Sequence, residues 1–273
     1  IHQNKLRPIR KMAKQLKISP QSVGRIVKRK LGFCSYKLAK AHFLSDESKN
    51  KRKRLAKRMV RLVANGRLER ILFTDEKIFS IQPLHNHQNH RQLLKRGLKN
   101  TFVANLMVRK HFPTSIMVWG GICATGKTPL VFLERSVKIK AENYQQLVLK
   151  DVLKPWATNH FGQAGFSLQQ DWAPAHGAHS TLNLCKKLFP GFWDKTIWRS
   201  NSPDLNPFDY SVWAILEDKI SMKTYQTVDA LKAALKRAWD EMTVQECATI
   251  VSNFPKRLKK CIEVDGGNFE HLL

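Results

Sequence analysis

An apolar run broken by two acids constrains this chain most. Ile71-Leu72-Phe73-Thr74-Asp75-Glu76-Lys77-Ile78-Phe79-Ser80-Ile81 is rich in β-branched and aromatic residues and predicts a strand. Residues 115–122 and 129–133 predict two more strands, and 166–170 a shorter one. Helical periodicity covers 141–154, 174–189, 207–220, 228–241 and 244–262. Strands first and helices interleaved later predict an α/β domain, a mixed sheet covered by helices. Residues 84–100 predict an exposed excursion.

Charge separates the front of the chain from this body. Of the 273 residues, 48 are Lys or Arg and 21 Asp or Glu, a net +27. Residues 1–70 hold 22 basic and 3 acidic residues, so +19 of that excess sits ahead of the first strand. A basic front end joined to a milder body suits a polyanion-binding module, and nucleic acid is the polyanion it suits best. The five cysteines (Cys34, Cys123, Cys185, Cys247, Cys261) are scattered without a C-x-x-C pair, the usage of reduced intracellular thiols. No apolar run has the length of a membrane span. The first residue is Ile, inside what reads as a helix, so a fragment of a longer protein is expected.

Within the basic front, Ile9, Met12, Ala13 and Leu16 form one apolar stripe over 8–17. Ser19-Pro20 restarts the chain with an N-cap and a proline at the first helical position. The following helix is expected to bury Val23, Ile26, Val27 and Leu31, leaving Gln21, Ser22, Arg25, Lys28 and Arg29 outside. Two such helices around a tight turn describe a helix-turn-helix, although an ordinary helical hairpin with solvated lysines fits the same pattern. With Ser19, those five residues are the DNA-facing candidates; Arg25 has the geometry to read guanine, whereas Lys28 and Arg29 suit phosphate. The turn Lys17-Ile18 lacks a glycine. Residues 46–65 predict a basic helix, and its run Lys51-Arg52-Lys53-Arg54 reads as a backbone-gripping linker, a nuclear import signal or a solvated face.

Three carboxylates stand where chemistry is possible. Asp75 interrupts an apolar strand, a costly place for an unpaired charge. Asp171 ends the strand 166–170 just before Ala173-Pro174-Ala175-His176, at a strand-to-helix switch of the sort that houses ligands in open α/β sheets. Asp209 follows Asn206-Pro207 at a helix start and shares a face with Trp213, Leu216 and Ile220, which points it inward. Singly, they could pair with a lysine, finish a strand and complement a helix dipole. Together in a basic protein they suggest a hard-cation site, since Mg²⁺ prefers a few carboxylates plus waters and phosphates. Two such ions can serve both oxygens of a phosphodiester displacement.

Thr74-Asp75-Glu76-Lys77, Trp119-Gly120-Gly121, Gln170-Asp171-Trp172-Ala173-Pro174-Ala175-His176 and Ser202-Pro203-Asp204-Leu205-Asn206-Pro207-Phe208-Asp209-Tyr210 resemble, in order, the motifs of mariner-type transposases. Thirty-seven residues separate Asp171 from Asp209. That gap, and Asp as the third acid, resemble the insect branch of that family. The resemblance spans nearly the whole chain, including the closing Gly266-Gly267-Asn268-Phe269-Glu270-His271. It implies a ribonuclease-H-like catalytic domain over 69–273, preceded by a partial all-α helix-turn-helix at 1–35 and a basic linker at 36–68. It implies that Asp75, Asp171 and Asp209 are catalytic and hold two Mg²⁺ or Mn²⁺ ions. It further implies binding of double-stranded DNA at terminal inverted repeats, hydrolytic nicking, and joining of the 3′-hydroxyl to target DNA at TA, by a homodimer in the nucleus. Trp172 and Arg199-Ser200 depart from the family pattern, which commonly has a small or amide residue and prolines there.

The remaining candidates point elsewhere. His85, His87 and His90 match no structural zinc spacing. No phosphate-cradling glycine loop is present, so no nucleotide cofactor is expected, and Gly120-Gly121 suits close strand packing. His176 reads either as a helix cap or as a residue near substrate. A different class also fits: a transposase-derived DNA-binding protein without nuclease activity.

Overall fold

The acid-bearing apolar run is strand β1 (Ile71–Ser80), and it lies at the centre of the sheet. The structure, a computed structural model, describes residues 8–34, 43–64, 66–81, 114–133, 140–198, 202–221 and 225–273. The histidines at 85, 87 and 90 and the 199–201 segment lie outside them. Strand β2 (Ser115–Cys123) pairs antiparallel with β1, placing Gly120 opposite Asp75. On its far edge β2 carries β3 (Gly126–Lys127) and β4 (Val131–Leu133). Strand β5 (Ser167–Gln169) lies on the other side of β1 and parallel to it, followed by β6 (Gly191–Phe192). Gly121 serves close packing: a Cβ there would sit 2.9 Å from Thr128 Cγ2.

The helices cover the two faces of this sheet. One core buries Leu72, Trp119 and Leu168 under a continuous helical run. That run comprises α4 (Ala141–Asn143), a π-helical stretch (Tyr144–Leu153) and α5 (Lys154–Phe161). Two further helices, α6 (Pro174–Gly177) and α7 (His179–Leu188), follow β5, and α7 closes the same core through Cys185. The opposite core gathers Phe73, Phe79 and Val118 with α8 (Trp213–Ser221), α9 (Val228–Asp240) and α10 (Val244–Glu263). Phe73 meets Phe254 of α10 edge-on, ring centroids 4.9 Å apart. A capping box of Thr243 and Glu246 starts α10, which tolerates Pro255 in its interior.

The basic helix α3 (Asp46–Leu62) corrects the expected linker. Leu55, Ala56, Met59 and the following Val63 are buried in the second core, so α3 belongs to the sheet domain. The chain accordingly divides at Ile1–His42 and Phe43–Leu273. Gly266, in the tail beyond α10, packs directly on α3. Its φ is +78°, and a Cβ there would lie 2.0 Å from the Lys49 carbonyl oxygen.

In the front unit, α1 (Ile9–Leu16) and α2 (Pro20–Arg25, continued by a π-helical turn Ile26–Lys30) form the predicted pair. The glycine-free turn works because Lys17 itself takes the left-handed conformation, φ +54°. Ser19 caps α2, its hydroxyl accepting from the Ser22 amide at 3.0 Å. The expected apolar stripes are buried only in part: Ala13 and Val23 are sequestered, while Leu16 and Leu31 stay more than half exposed. Two short helices offer one narrow seam, which small side chains fill.

Candidate metal centre and DNA-facing residues

Pairing between β1 and β5 ends at Phe73 and Gln169. Asp75 and Asp171 each stand two residues further, Asp75 still within β1 and Asp171 past the end of β5. Asp209 approaches from a π-helical turn, Phe208–Val212, the wider kind of turn that recurs at functional sites. It retains solvent access rather than lying as deep as the helix-face pattern predicts. The three carboxylates act on one another. Burial first, then the charges of Asp209 and Glu76 and the more distant Asp171, push Asp75 up to about 8. Partial desolvation raises Asp209 as well, against the opposing Asn206 bond and the Lys77 charge.

Each carboxylate is held by one oxygen. Trp213 Nε1 donates to Asp75 Oδ2 at 2.7 Å, and Asn206 Nδ2 to Asp209 Oδ2 at 3.2 Å. Asp171 Oδ1 accepts twice, from the Ala173 amide at 3.0 Å and from His176 Nδ1 at 2.5 Å. Among the described residues the second oxygen of each takes no hydrogen bond: Oδ1 of Asp75, Oδ2 of Asp171 and Oδ1 of Asp209. Three carboxylates that repel one another, each with an oxygen to spare, fit a hard divalent cation. Asn206 also accepts from the Phe208 amide at 3.3 Å, which ties it to the start of that turn.

Glu76 is the acid that sequence reasoning passed over. It follows Asp75 on the strand and therefore points to the opposite face, where His176 Nε2 meets it at 3.2 Å. His176 is 3% exposed and is bracketed by the two acids, while Tyr144 lies against its ring at 4.1 Å between centroids. Burial disfavours a charged ring, yet Glu76 and Asp171 outweigh it and raise His176 to about 10. In return, although burial pushes Asp171 up, His176 and the Ala173 amide hold it below the usual carboxylate range. The Tyr144 hydroxyl donates to Gln170 Oε1 at 2.8 Å, anchoring the strand end that carries Asp171. Ligand atoms of Glu76, Asp171 and His176 lie within 4.8 Å of one another, close enough to hold an ion. Trp172, the family departure, fits by packing on Phe192 and donating to the Trp198 carbonyl at 3.1 Å.

The DNA-facing candidates divide. Ser19, Gln21, Ser22, Arg25, Lys28 and Arg29 are all exposed on the front unit. On α3, Lys51 and Arg54 are exposed, and Lys53 pairs with Asp265. Arg52 is the correction. It is 3% exposed, with Nη1 on Asp204 Oδ1 at 3.0 Å, Nη2 on Asp204 Oδ2, and Nε on the Gly266 carbonyl at 3.0 Å. Its place on the inner stripe with Leu55, Ala56 and Met59 turns it away from any DNA on the outer face.

No family model matches the chain. The Tc3 transposase of Caenorhabditis elegans is 28% identical over 256 residues, 92% of this chain and 72% of that protein. The Tc1 transposase of the same organism is 28% identical over 158 residues, 58% of this chain and 55% of that protein. Among solved structures, the mariner Mos1 paired-end complex with Mg superposes at a TM-score of 0.83 with 20% identity, over 98% of this chain and 77% of that one. The Mos1 catalytic domain alone superposes at 0.67 with 19% identity, over 85% of this chain and all of that one. At these identities the structural likeness establishes the fold, a ribonuclease-H-like sheet domain with a helical N-terminal segment.

Proposed function

We propose that this chain, a homologue of the Tc1/mariner transposases, is a cut-and-paste transposase that binds transposon ends and cuts and joins DNA through Asp75, Asp171 and Asp209. The observation that carries this reading is the mutual electrostatic influence of Asp75, Asp171 and Asp209, which come from two neighbouring strand ends and one helix start, each tethered by one oxygen. Asp75, Asp171 and Asp209 would hold two divalent cations, Mg²⁺ or Mn²⁺, which supply activation of the attacking oxygen and neutralisation of the leaving one. The Mos1 neighbours solved with Mg and with Mn support that choice of ion.

The residues around the carboxylates prepare the geometry. Trp213, Asn206 and the Ala173 amide fix their orientation before substrate arrives, so little reorganisation remains for the reaction itself. The exposed face of α2 supplies Arg25 for base edges and Lys28 and Arg29 for phosphates, and Lys51 and Arg54 extend the phosphate grip. A neighbour solved as a paired-end complex supports ends being held together, and a twofold homodimer is the simplest assembly that does so. Joining at TA dinucleotides and action in the nucleus complete the reading. No helix of the described residues is long and apolar enough to cross a membrane.

Cleavage of a duplex bearing the cognate ends, with Mg²⁺ or Mn²⁺, tests the proposal. The parent chain is expected to cut, and Asp75→Asn to bind the ends without cutting. A parent chain that binds but never cuts would favour the nuclease-free DNA-binding alternative, and cutting by Asp75→Asn would remove Asp75 from the chemistry.

A further inference from the structure

His176 is fixed through Nδ1 and has a carboxylate beside Nε2. Nδ1 lies 2.5 Å from Asp171 Oδ1 and Nε2 lies 3.2 Å from Glu76 Oε1. The ring is buried, packed on Tyr144, and no water-facing edge is left to it. A metal ligand needs a lone pair on one ring nitrogen; here Nδ1 is taken by Asp171, and Nε2 has Glu76 Oε1 at 3.2 Å, a contact without hydrogen-bond geometry that leaves Oε1 unbonded. The Ala173 amide engages the same Asp171 oxygen, so Asp171 has a single oxygen, Oδ2, to offer a cation.

We propose that His176, seated against Glu76, is a positioning residue that holds the Asp171 carboxylate in the one rotamer whose Oδ2 faces the cation site, and is not itself a ligand. This rests on the metal-centre reading above. Glu76 then acts through His176: it stands beside the far ring nitrogen, and its charge favours the imidazole in this place, as outer carboxylates do for histidines near metal sites.

The test reads Mn²⁺ binding to the full chain without DNA, by electron paramagnetic resonance titration. His176→Leu is expected to weaken Mn²⁺ binding about 10–100-fold, the usual effect of removing such a partner. His176→Asn, whose amide can donate from near the Nδ1 position, is expected to recover most of that loss. Glu76→Gln is expected to fall between them. Thermal melts of all three separate lost affinity from lost folding, and His176→Asn with Glu76→Gln carry the comparison if the leucine variant melts early. Parent-like Mn²⁺ affinity in a folded His176→Leu, or equal losses in His176→Leu and His176→Asn, would overturn the proposal. So would an imidazole nitrogen coupling to bound Mn²⁺ that vanishes in His176→Asn, because it would make His176 a ligand. Failure of the parent to bind Mn²⁺, or unchanged binding in Asp75→Asn, would instead strike at the metal centre itself and take this inference with it.

Discussion

Replacing Arg52 by Met tests whether the basic helix is built into the sheet domain or waits for DNA. The substitution keeps side-chain length and apolar stem but leaves the Asp204 carboxylate, 7% exposed, without its guanidinium. It also removes the donors to the Gly266 carbonyl and the Ser202 hydroxyl. Breaking a buried pair from one side typically costs about 3–5 kcal/mol, because the remaining charge is stranded. A domain the size of Phe43–Leu273 loses about 2–4 °C of Tm per kcal/mol, so Arg52→Met should melt about 6–20 °C below the parent. The double variant Arg52→Met/Asp204→Leu should recover most of that, since an apolar replacement of the whole pair is often neutral. Differential scanning calorimetry with urea unfolding reads both effects. Well below the melt, DNA binding by Arg52→Met should keep the parent's salt slope, whereas loss of one phosphate contact would flatten it by about 0.9. A melt within about 1 °C of the parent, combined with a flatter slope, would refute the buried-pair reasoning and return Arg52 to the DNA face.

Gly266→Ala should destabilise the same seam, at about 1–3 kcal/mol for the left-handed backbone alone, with the Lys49 carbonyl clash added; urea midpoints at constant slope check it. In chelator, the metal-free chain should lose stability as pH rises from about 4 to about 8, because a folded Asp75 near 8 binds its proton more tightly than an unfolded one at 3.8. His176 near 10 adds loss in the same direction above 6.5, and Asp75→Asn should flatten the lower part of the curve in a pH series of melts. DNA binding should depend strongly on salt, with log K falling by about 0.9 per log unit of salt for each phosphate neutralised, as titrations at several salt concentrations will read. Arg25→Ala should relax preference at one base position by about 1–3 kcal/mol, whereas Lys28→Ala should weaken cognate and scrambled ends alike in competition binding.

The elements with a clear period were legible. The strand expected at 71–81 is Ile71–Ser80, and the helix expected at 244–262 is Val244–Glu263, because each repeats its apolar residues long enough to be counted. Strands β3 and β6 have two residues each, too few to show any alternation. The helix predicted to stop at 154 continues to Phe161, with Pro155 inside the run just past its π-helical stretch. Arg52 was misread because charge was counted without phase. Arg52, Leu55, Ala56, Met59 and Val63 are spaced i, i+3, i+4, i+7 and i+11, an inward stripe that begins with an arginine. Asp75, Asp171, Asp209 and His176 could be singled out from sequence, but the approach of His176 to Glu76 could not. Their contact joins a strand to a helix 100 residues later, and no local pattern encodes it.

Phe254 against Phe73, Trp213 on Asp75, and Gly266 on α3 together impose an order of events on synthesis. Strand β1 leaves the ribosome with its two acids long before any of these partners exists. At about 5–20 residues per second, the roughly 190 residues from Asp75 to Gly266 take on the order of 10–40 s to follow. During that interval Trp213 has yet to reach Asp75, and Asp204 has yet to reach Arg52. A nascent chain can therefore present the basic residues of α1 and α2 while it has no assembled carboxylate centre. The tether of Asp75 thus waits for Trp213, and the core beneath β1 closes only when Phe254 of the last long helix arrives.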